Sequence, residues 1–584
     1  MDMVLFQKIS VILMMLVIFV FPDQVQADKR DSVALVMKSL ASPFFSTMAE
    51  GAQNYAKEHG IALDMFGVEQ ETDVDHQINI IANLISLRYG AIILAPTHSE
   101  KLIPICKKAL DAGIAVITLD THLDSATMAK AGISIPFIGT DNRIGGQMVG
   151  NYLKNRLNGK GRILAIGGYP GVENGIARIE GFIDAITQNS EIEIVASENA
   201  NWRTDEALAV VSRLITKHGK IDAIFCANDF MALGALQAVD LLGLSSEIFI
   251  TGYDNLESVR TEMRNGRIVA TIEQHPELMG QYGVEAALNS MHGEPVALER
   301  STPVDLITYE SFGKKVTLSV SNLSNAFFAT LSQHASKTAT LFGIELAIKD
   351  AQDQDSRQLL DITSSSDESS NLLIINPTNA ETIGPGIAYA VSLGIPVITV
   401  DRKVAVATVL SHIASDNTEG GKIAARYMAE LLIGEGNVFE IEGIPGTSAA
   451  HERGAGFNSE LGKYSTIEVV HRESADFNRE TAKAVMLRSL PKYPNLNGIF
   501  AHNDAMLLGA VDAYQEAGKR PPRVLIGFDA SSEAREAVKK GIISGTIAQQ
   551  PDTMGKLAIE TAVKFFRGED IPREITVDLT LITH

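Results

Sequence analysis

Only two cysteines, Cys106 and Cys226, occur in 584 residues, so no disulfide framework can hold this chain together and apolar cores must do it. Cys106 falls in a helical pattern and Cys226 in a buried-strand pattern, which favours free buried thiols over a bond between them. Positive charge is also scarce, with 50 Lys and Arg against 71 Asp and Glu. No basic cluster reverses that balance, so the surface should repel nucleic acid and anionic membranes. Catalytic signatures are missing: there is no HExxH, no GxSxG, no P-loop and no acid pair at hydrolytic spacing. Ser448 and His451 have no third partner and read as a helix start. Asp350, Asp353 and Asp355 lack the glycine and distal glutamate of a calcium loop and read as a solvated turn. No metal, cofactor or enzymatic activity is expected.

What the chain does have begins at its start. Lys8 is followed by the apolar run Ile9–Phe21 and then by Val25-Gln26-Ala27. That run is shorter than the roughly 20 residues of a spanning helix, and small residues follow it, the pattern of a secretory signal. Residues 1–27 are therefore expected to be cleaved. No cysteine near the cleavage site could take a lipid, so a soluble periplasmic chain is expected; an uncleaved anchor is the alternative.

The remainder is too long for one core, since single cores stop growing at about 250–300 residues. A duplication supplies the division. Ile114–Thr121 (IAVITLDT) pairs with Ile395–Arg402 (IPVITVDR), Ser42–Phe45 with Asn325–Phe328, and Phe225–Asp229 with Phe500–Asp504. Further pairs are Gly252–Asp254 with Gly527–Asp529, Ala270–Pro276 with Gly545–Pro551, and Pro303–Leu306 with Thr576–Leu579. The offset drifts only from 283 residues (Ser42 to Asn325) to 273 (Pro303 to Thr576), right for duplicated domains. The junction is expected near Tyr309–Lys315, with module one over 28–312 and module two over 313–584. The serine-rich stretch Ser364–Ser370 reads as an exposed loop.

Within each module, short apolar runs alternate with helical patterns, which predicts parallel βαβ units. In module one the expected strands are Val33–Met37, Ala91–Leu94, Ala115–Leu119, Arg162–Ile166, Ala223–Cys226 and Ile248–Thr251. Ligands bind beyond the carboxyl ends of such strands. Asp120, Asn228 and Asp254, with their twins Asp401, Asn503 and Asp529, all sit there. The fold class expected is α/β, with two lobes per module converging on a cleft. Acids, amides, arginine and aromatics without a catalytic pairing suit a neutral polyhydroxy ligand: carboxylates accept from hydroxyls, an arginine fork bridges two oxygens, and rings cover C–H faces. Taken singly, a strand-end Asp is more often a turn former and a Phe pair more often core. The ordered recurrence of the whole set decides for a site.

From Val316 onward the sequence resembles the bacterial periplasmic ribose-binding family. The resemblance rests on Ser321, Asn325, Phe327, Phe328, Asp401, Arg402, Arg453, Phe477, Asn503, Phe528, Asp529 and Gln549, each matching a sugar-contacting position of that family. Module one is similar to the allose-binding branch of the same superfamily. Phe44, Phe45, Asp120, Arg178, Asn228, Asp254 and Gln274 match its sugar contacts, Lys38 replaces a serine and Trp202 a phenylalanine. Ser42 stands where the family usually has Asn, and Thr121 where the ribose type has Arg. The resemblance implies two tandem type I binding modules, each with doubly wound parallel-sheet lobes joined by three crossovers. These are expected near Phe137–Asp141, Gln274–His275 and Asp305–Leu306, and near Ile413–Asp416, Gln549–Gln550 and Asp578–Leu579. It also implies hinge closure on a monosaccharide, a pentose such as ribose in module two and a hexose in module one, for delivery to an inner-membrane ABC permease. Presentation of the closed modules to a chemoreceptor or sensor kinase is the alternative.

Overall fold

The computed structural model describes residues 29–39, 41–405 and 408–584; the expected signal segment lies outside the described residues. The chain divides into two compact units, one ending at Leu306 and the other starting at Ile307. That division falls inside the strand Asp305–Thr308, slightly upstream of the expected junction. No helix among the described residues is long and apolar enough to cross a membrane.

Module one holds two six-stranded sheets. In the first, the order across the sheet is Glu299–Thr302, Phe137–Thr140, Ala115–Leu119, Ala91–Leu94, Ser32–Met37, Ala62–Gly67. In the second it is Asp305–Thr308, Ala270–Glu273, Phe249–Thr251, Ala223–Cys226, Lys160–Gly167, Glu191–Asn199. Helices cover both faces, so the central strands are apolar on both sides. Along Ser32–Met37, residues Val33, Leu35 and Met37 enter one core, while Ala34 and Val36 enter the other, the period-two alternation of a strand. Module two repeats the plan with two more six-stranded sheets, parallel except where Gly545–Ala548 pairs antiparallel with Thr580–Thr583.

The expected strands of module one all form, within two residues of their expected ends. The sheet edges Ala62–Gly67 and Glu191–Asn199 were not anticipated, because an edge strand is half exposed and its polar residues hide the apolar run. In module two, the helix Asp355–Asp367 runs through the first part of Ser364–Ser370, so that stretch is not simply a loop. Ser448 does begin a helix, Ser448–Leu461, with Thr447 as its cap. Cys106 and Cys226 are buried and unbonded, and burial raises the Cys106 thiol to about 12.

Chain crossings between lobes occur between Phe137–Thr140 and Asn142–Arg156, then after Ala270–Glu273, then between Glu299–Thr302 and Asp305–Thr308. The first two fall where expected, and the third lies just before Asp305. In module two the crossings follow Ser411–Ser415, Gly545–Ala548 and Glu574–Val577. The helices that start after the first crossing pack flat on the arginine-bearing helices because of paired glycines. A Cβ on Gly146 would lie 2.2 Å from the Arg178 carbonyl, and one on Gly421 2.2 Å from that of Arg453.

Candidate functional site

The repeated polar residues collect where the two lobes of each module meet. In module one, Lys38, Ser42, Phe44, Phe45 and Asp120 come from one lobe, and Arg178, Trp202, Asn228 and Asp254 from the other. Together with Glu71, Asn174 and Phe230 they wall a cavity of about 30 Å³. A water needs about 10–15 Å³ of such space, so the closed cleft admits water and anything larger must part the walls. In module two an inner recess of about 20 Å³ adjoins a cavity of about 650 Å³. Every expected module-two residue except Ser321 and Phe528 lines them. Gln274 likewise lies off the cavity wall in module one.

The two arginines are held by the same scaffold. Arg178 Nε donates to Asn142 Oδ1 at 2.7 Å and Nη1 to the Ala227 carbonyl at 2.8 Å. Arg453 Nε donates to Asn417 Oδ1 at 2.8 Å and Nη1 to the His502 carbonyl at 2.6 Å. Each guanidinium lies 3.9 Å from an aromatic centroid, Tyr253 or Phe528, and 3.6 Å from Asp254 or Asp529. Phe528, expected as a contact, is therefore a fully buried ring beneath Arg453. Gln274 donates to Asp254 Oδ1 at 2.6 Å and accepts from Arg178 at 3.1 Å, so it braces those two side chains from behind.

Backbone strain marks the same positions in both modules. Asp120 and Asp401 have φ of 62° and 61°, Trp202 and Phe477 66° and 55°, Asp254 and Asp529 113° and 103°. Each non-glycine residue held there costs on the order of 1–3 kcal/mol, and such strain gathers at functional sites. The Trp202 and Phe477 rings fit only because Gly168 and Gly443 lie beneath them; a Cβ there would come within 2.1 Å of the ring in each case. Asn228 and Asn503 do two jobs. Each Oδ1 caps a helix, accepting from Met231 N or Met506 N at 2.9 Å. Each Nδ2 donates to the Trp202 or Phe477 carbonyl, at 3.4 and 3.2 Å.

The modules part company around the strand-end aspartates. Asp120 accepts from Lys38 at 2.7 Å, from Thr121 at 3.0 Å and, from the other lobe, from Asn174 at 3.3 Å. Asp401 accepts from Asn376 at 3.2 Å; Arg402 Nε stands 3.8 Å away. Burial pushes both acids up. For Asp120 the Lys38 and Arg178 charges outweigh that push and hold it below its ordinary value, whereas Asp401 ends above it despite Arg402 and Arg453. Burial likewise carries Asp254 well above the ordinary range and Asp529 to about 6. Module two also contains buried polar atoms with no hydrogen-bond partner: Ser321 Oγ, Arg402 Nε and Gln549 Oε1. Ser42 is buried and makes no cap hydrogen bond, whereas its twin Asn325 accepts from Phe327 N at 3.0 Å.

Asn142 and Asn417 were missed, although each follows an Asp in corresponding parts of the repeat and was legible there. Asn174, Asn376 and Glu71 were missed because their counterparts differ in kind, so the repeat carries no sign of them.

The family model described as a periplasmic binding protein domain matches residues 33–295 and again 316–570. A D-ribose/D-allose-binding protein of Pseudomonas aeruginosa is 36% identical over 289 residues, covering 48% of this chain and 90% of that protein. A ribose import binding protein of Haemophilus influenzae is 40% identical over 268 residues, 46% of this chain and 91% of that protein. A D-allose-binding periplasmic protein of Escherichia coli is 30% identical over 277 residues, 47% of this chain and 89% of that protein. With two consecutive matches covering most of its length, this chain belongs to the periplasmic binding protein domain family and carries two copies of that domain.

Proposed function

We propose that this protein is an exported solute-binding protein whose modules, 28–312 and 313–584, each close on a monosaccharide and hand it to an inner-membrane ABC permease. Residues 1–27 direct export and are removed. The observation that carries the reading is the set of unpartnered buried atoms in module two. On the recess wall, Arg402 Nε and Gln549 Oε1 are a donor and an acceptor, and a buried polar group without a partner costs about 1–3 kcal/mol. A neutral polyol answers both at once, and Phe327, Phe328 and Phe477 supply ring faces. A pentose such as ribose suits this site, in keeping with the ribose-binding relatives. Module one, with Lys38 and Trp202, suits a hexose such as allose.

Hinge closure is favoured by contacts across each cleft. Glu173 N donates to Ser99 Oγ at 3.2 Å in module one, and Lys403 N to Ser448 Oγ at 2.8 Å in module two. These form only with the lobes together, and a ligand touching both lobes favours that state.

Calorimetric titration of the full chain with D-ribose and D-allose tests the reading. Two components are expected, one lost in Asp120→Ala and the other in Asp401→Ala. No heat with any monosaccharide would end it.

A further inference from the structure

Glu71 lies in the wall of the module-one cavity, in a loop whose length differs between the two modules. It sits in the connection between the strand Ala62–Gly67 and the helix Val74–Ser86. The connection folds tightly, with Asp73 N donating to the Gln70 carbonyl and Val74 N to that of Thr72, both at 3.0 Å. It has six residues, 68 to 73, where module two has four, 351 to 354. The shorter version stops short of the inner recess, and Asp353 lines only the wider cavity outside it: Asp353 N donates to the Ser321 carbonyl at 2.6 Å, and the exposed Asp353 carboxylate accepts from Asn322 at 2.7 Å.

The lengthened loop coincides with Lys38, which stands where module two has Ser321. Lys38 and Arg178 face Glu71 as opposite charges, and Asp120 as a like charge. Asp120 has Lys38, and Asp254 has Gln274 and Arg178. Among the described residues the Glu71 carboxylate has no hydrogen-bond or ion-pair partner, although it is half-buried beside the cavity. A carboxylate is acceptor-only, and a half-buried one without a donor is satisfied best by a ligand that brings one.

Resting on the sugar-binding reading above, we propose that Glu71 contacts the ligand of module one and accepts a hydrogen bond from a sugar hydroxyl, whereas the corresponding loop of module two brings no carboxylate to its inner recess. Module one would thus select a ligand with one more hydroxyl donor, a hexose over a pentose.

The test is calorimetric titration of the full chain with D-allose, in an Asp401→Ala background that silences module two, followed by each monodeoxy D-allose. Charge-assisted hydrogen bonds contribute about 1.5–3 kcal/mol, so Glu71→Ala should weaken D-allose binding roughly 10- to 100-fold. Glu71→Gln should fall between. For one monodeoxy sugar, Glu71→Ala should cause no further loss, which a purely structural role would not produce. Unchanged D-allose affinity, or an equal loss with every deoxy analogue, overturns the proposal. If Asp120→Ala abolishes binding while Glu71→Ala does nothing, the proposal fails and the sugar reading stands. If D-allose and D-ribose both fail to bind the parent, or D-allose binds Asp120→Ala unchanged, both fall.

Discussion

Lys38 Nζ lies 2.7 Å from Asp120 Oδ2, with both side chains about 3% exposed. Its counterpart in module two is a serine whose hydroxyl has no partner. Two copies of one fold thus fill the same place with a buried ion pair and with an unanswered hydroxyl.

Removing one member of a buried ion pair leaves the other uncompensated, at a cost of about 3–5 kcal/mol. Lys38→Met is therefore expected to destabilise module one by that order, whereas Ser321→Ala changes module two by less than about 1 kcal/mol. The chain's single tryptophan, Trp202, lies in module one. Its fluorescence during urea unfolding reads the Lys38→Met effect directly, and an unshifted midpoint would show that the pair contributes little.

Arg402 is nearly wholly buried, with Nε unpartnered and Nη1 donating to the Pro377 carbonyl at 3.2 Å. Arg402→Ala is expected to weaken D-ribose binding to module two by about 10- to 100-fold, leaving module one unchanged in the same calorimetric titration.

Arg178 aims three N–H groups of a rigid fork and Arg453 two, each over a ring, and a lysine offers one flexible point charge instead. Arg453→Lys should therefore lower both D-ribose affinity and the thermal midpoint of module two, and Arg178→Lys should do the same to D-allose binding in module one. Affinity and midpoint preserved in both variants would show that the fork is dispensable.

His122 carries a pH dependence that module two lacks. It stacks on Phe137 and lies 3.2 Å from Glu299 and 3.4 Å from Glu173 of the opposite lobe. Burial lowers its pKa, but the two carboxylates outweigh burial and leave it above 6.5. Protonated His122 thus favours closure, an effect full below about 6.5 and lost as pH rises through the raised value. Asp254 titrates in the same cleft, so the readout is the ratio of parental to His122→Gln affinity for D-allose. That ratio should be highest in acid and fall as pH rises through the raised His122 value; a flat ratio would remove His122 from the closure equilibrium. Lys403, paired with Glu574 at 3.2 Å, takes its place in module two.

Much of the fold was legible because apolar strands buried on both faces announce themselves. Ala91–Leu94, Ala115–Leu119 and Ala223–Cys226 form over the expected residues. Edge strands such as Ala62–Gly67 carry no such signal, since one neighbour and partial exposure leave their composition mixed.

The sequence by itself determined the duplication, the α/β class and the strand-end residues, because covalent order and side-chain periodicity already contain them. Only the tertiary structure decided what those residues do to one another. Phe528 turned out to support Arg453, Gln274 to brace Arg178 and Asp254, and Glu71 to reach the cavity from a loop whose length differs between the two modules. Hydrogen bonds and burial depend on distances between segments far apart in the chain, and a linear pattern shows periodicity along one segment, not the separation between two.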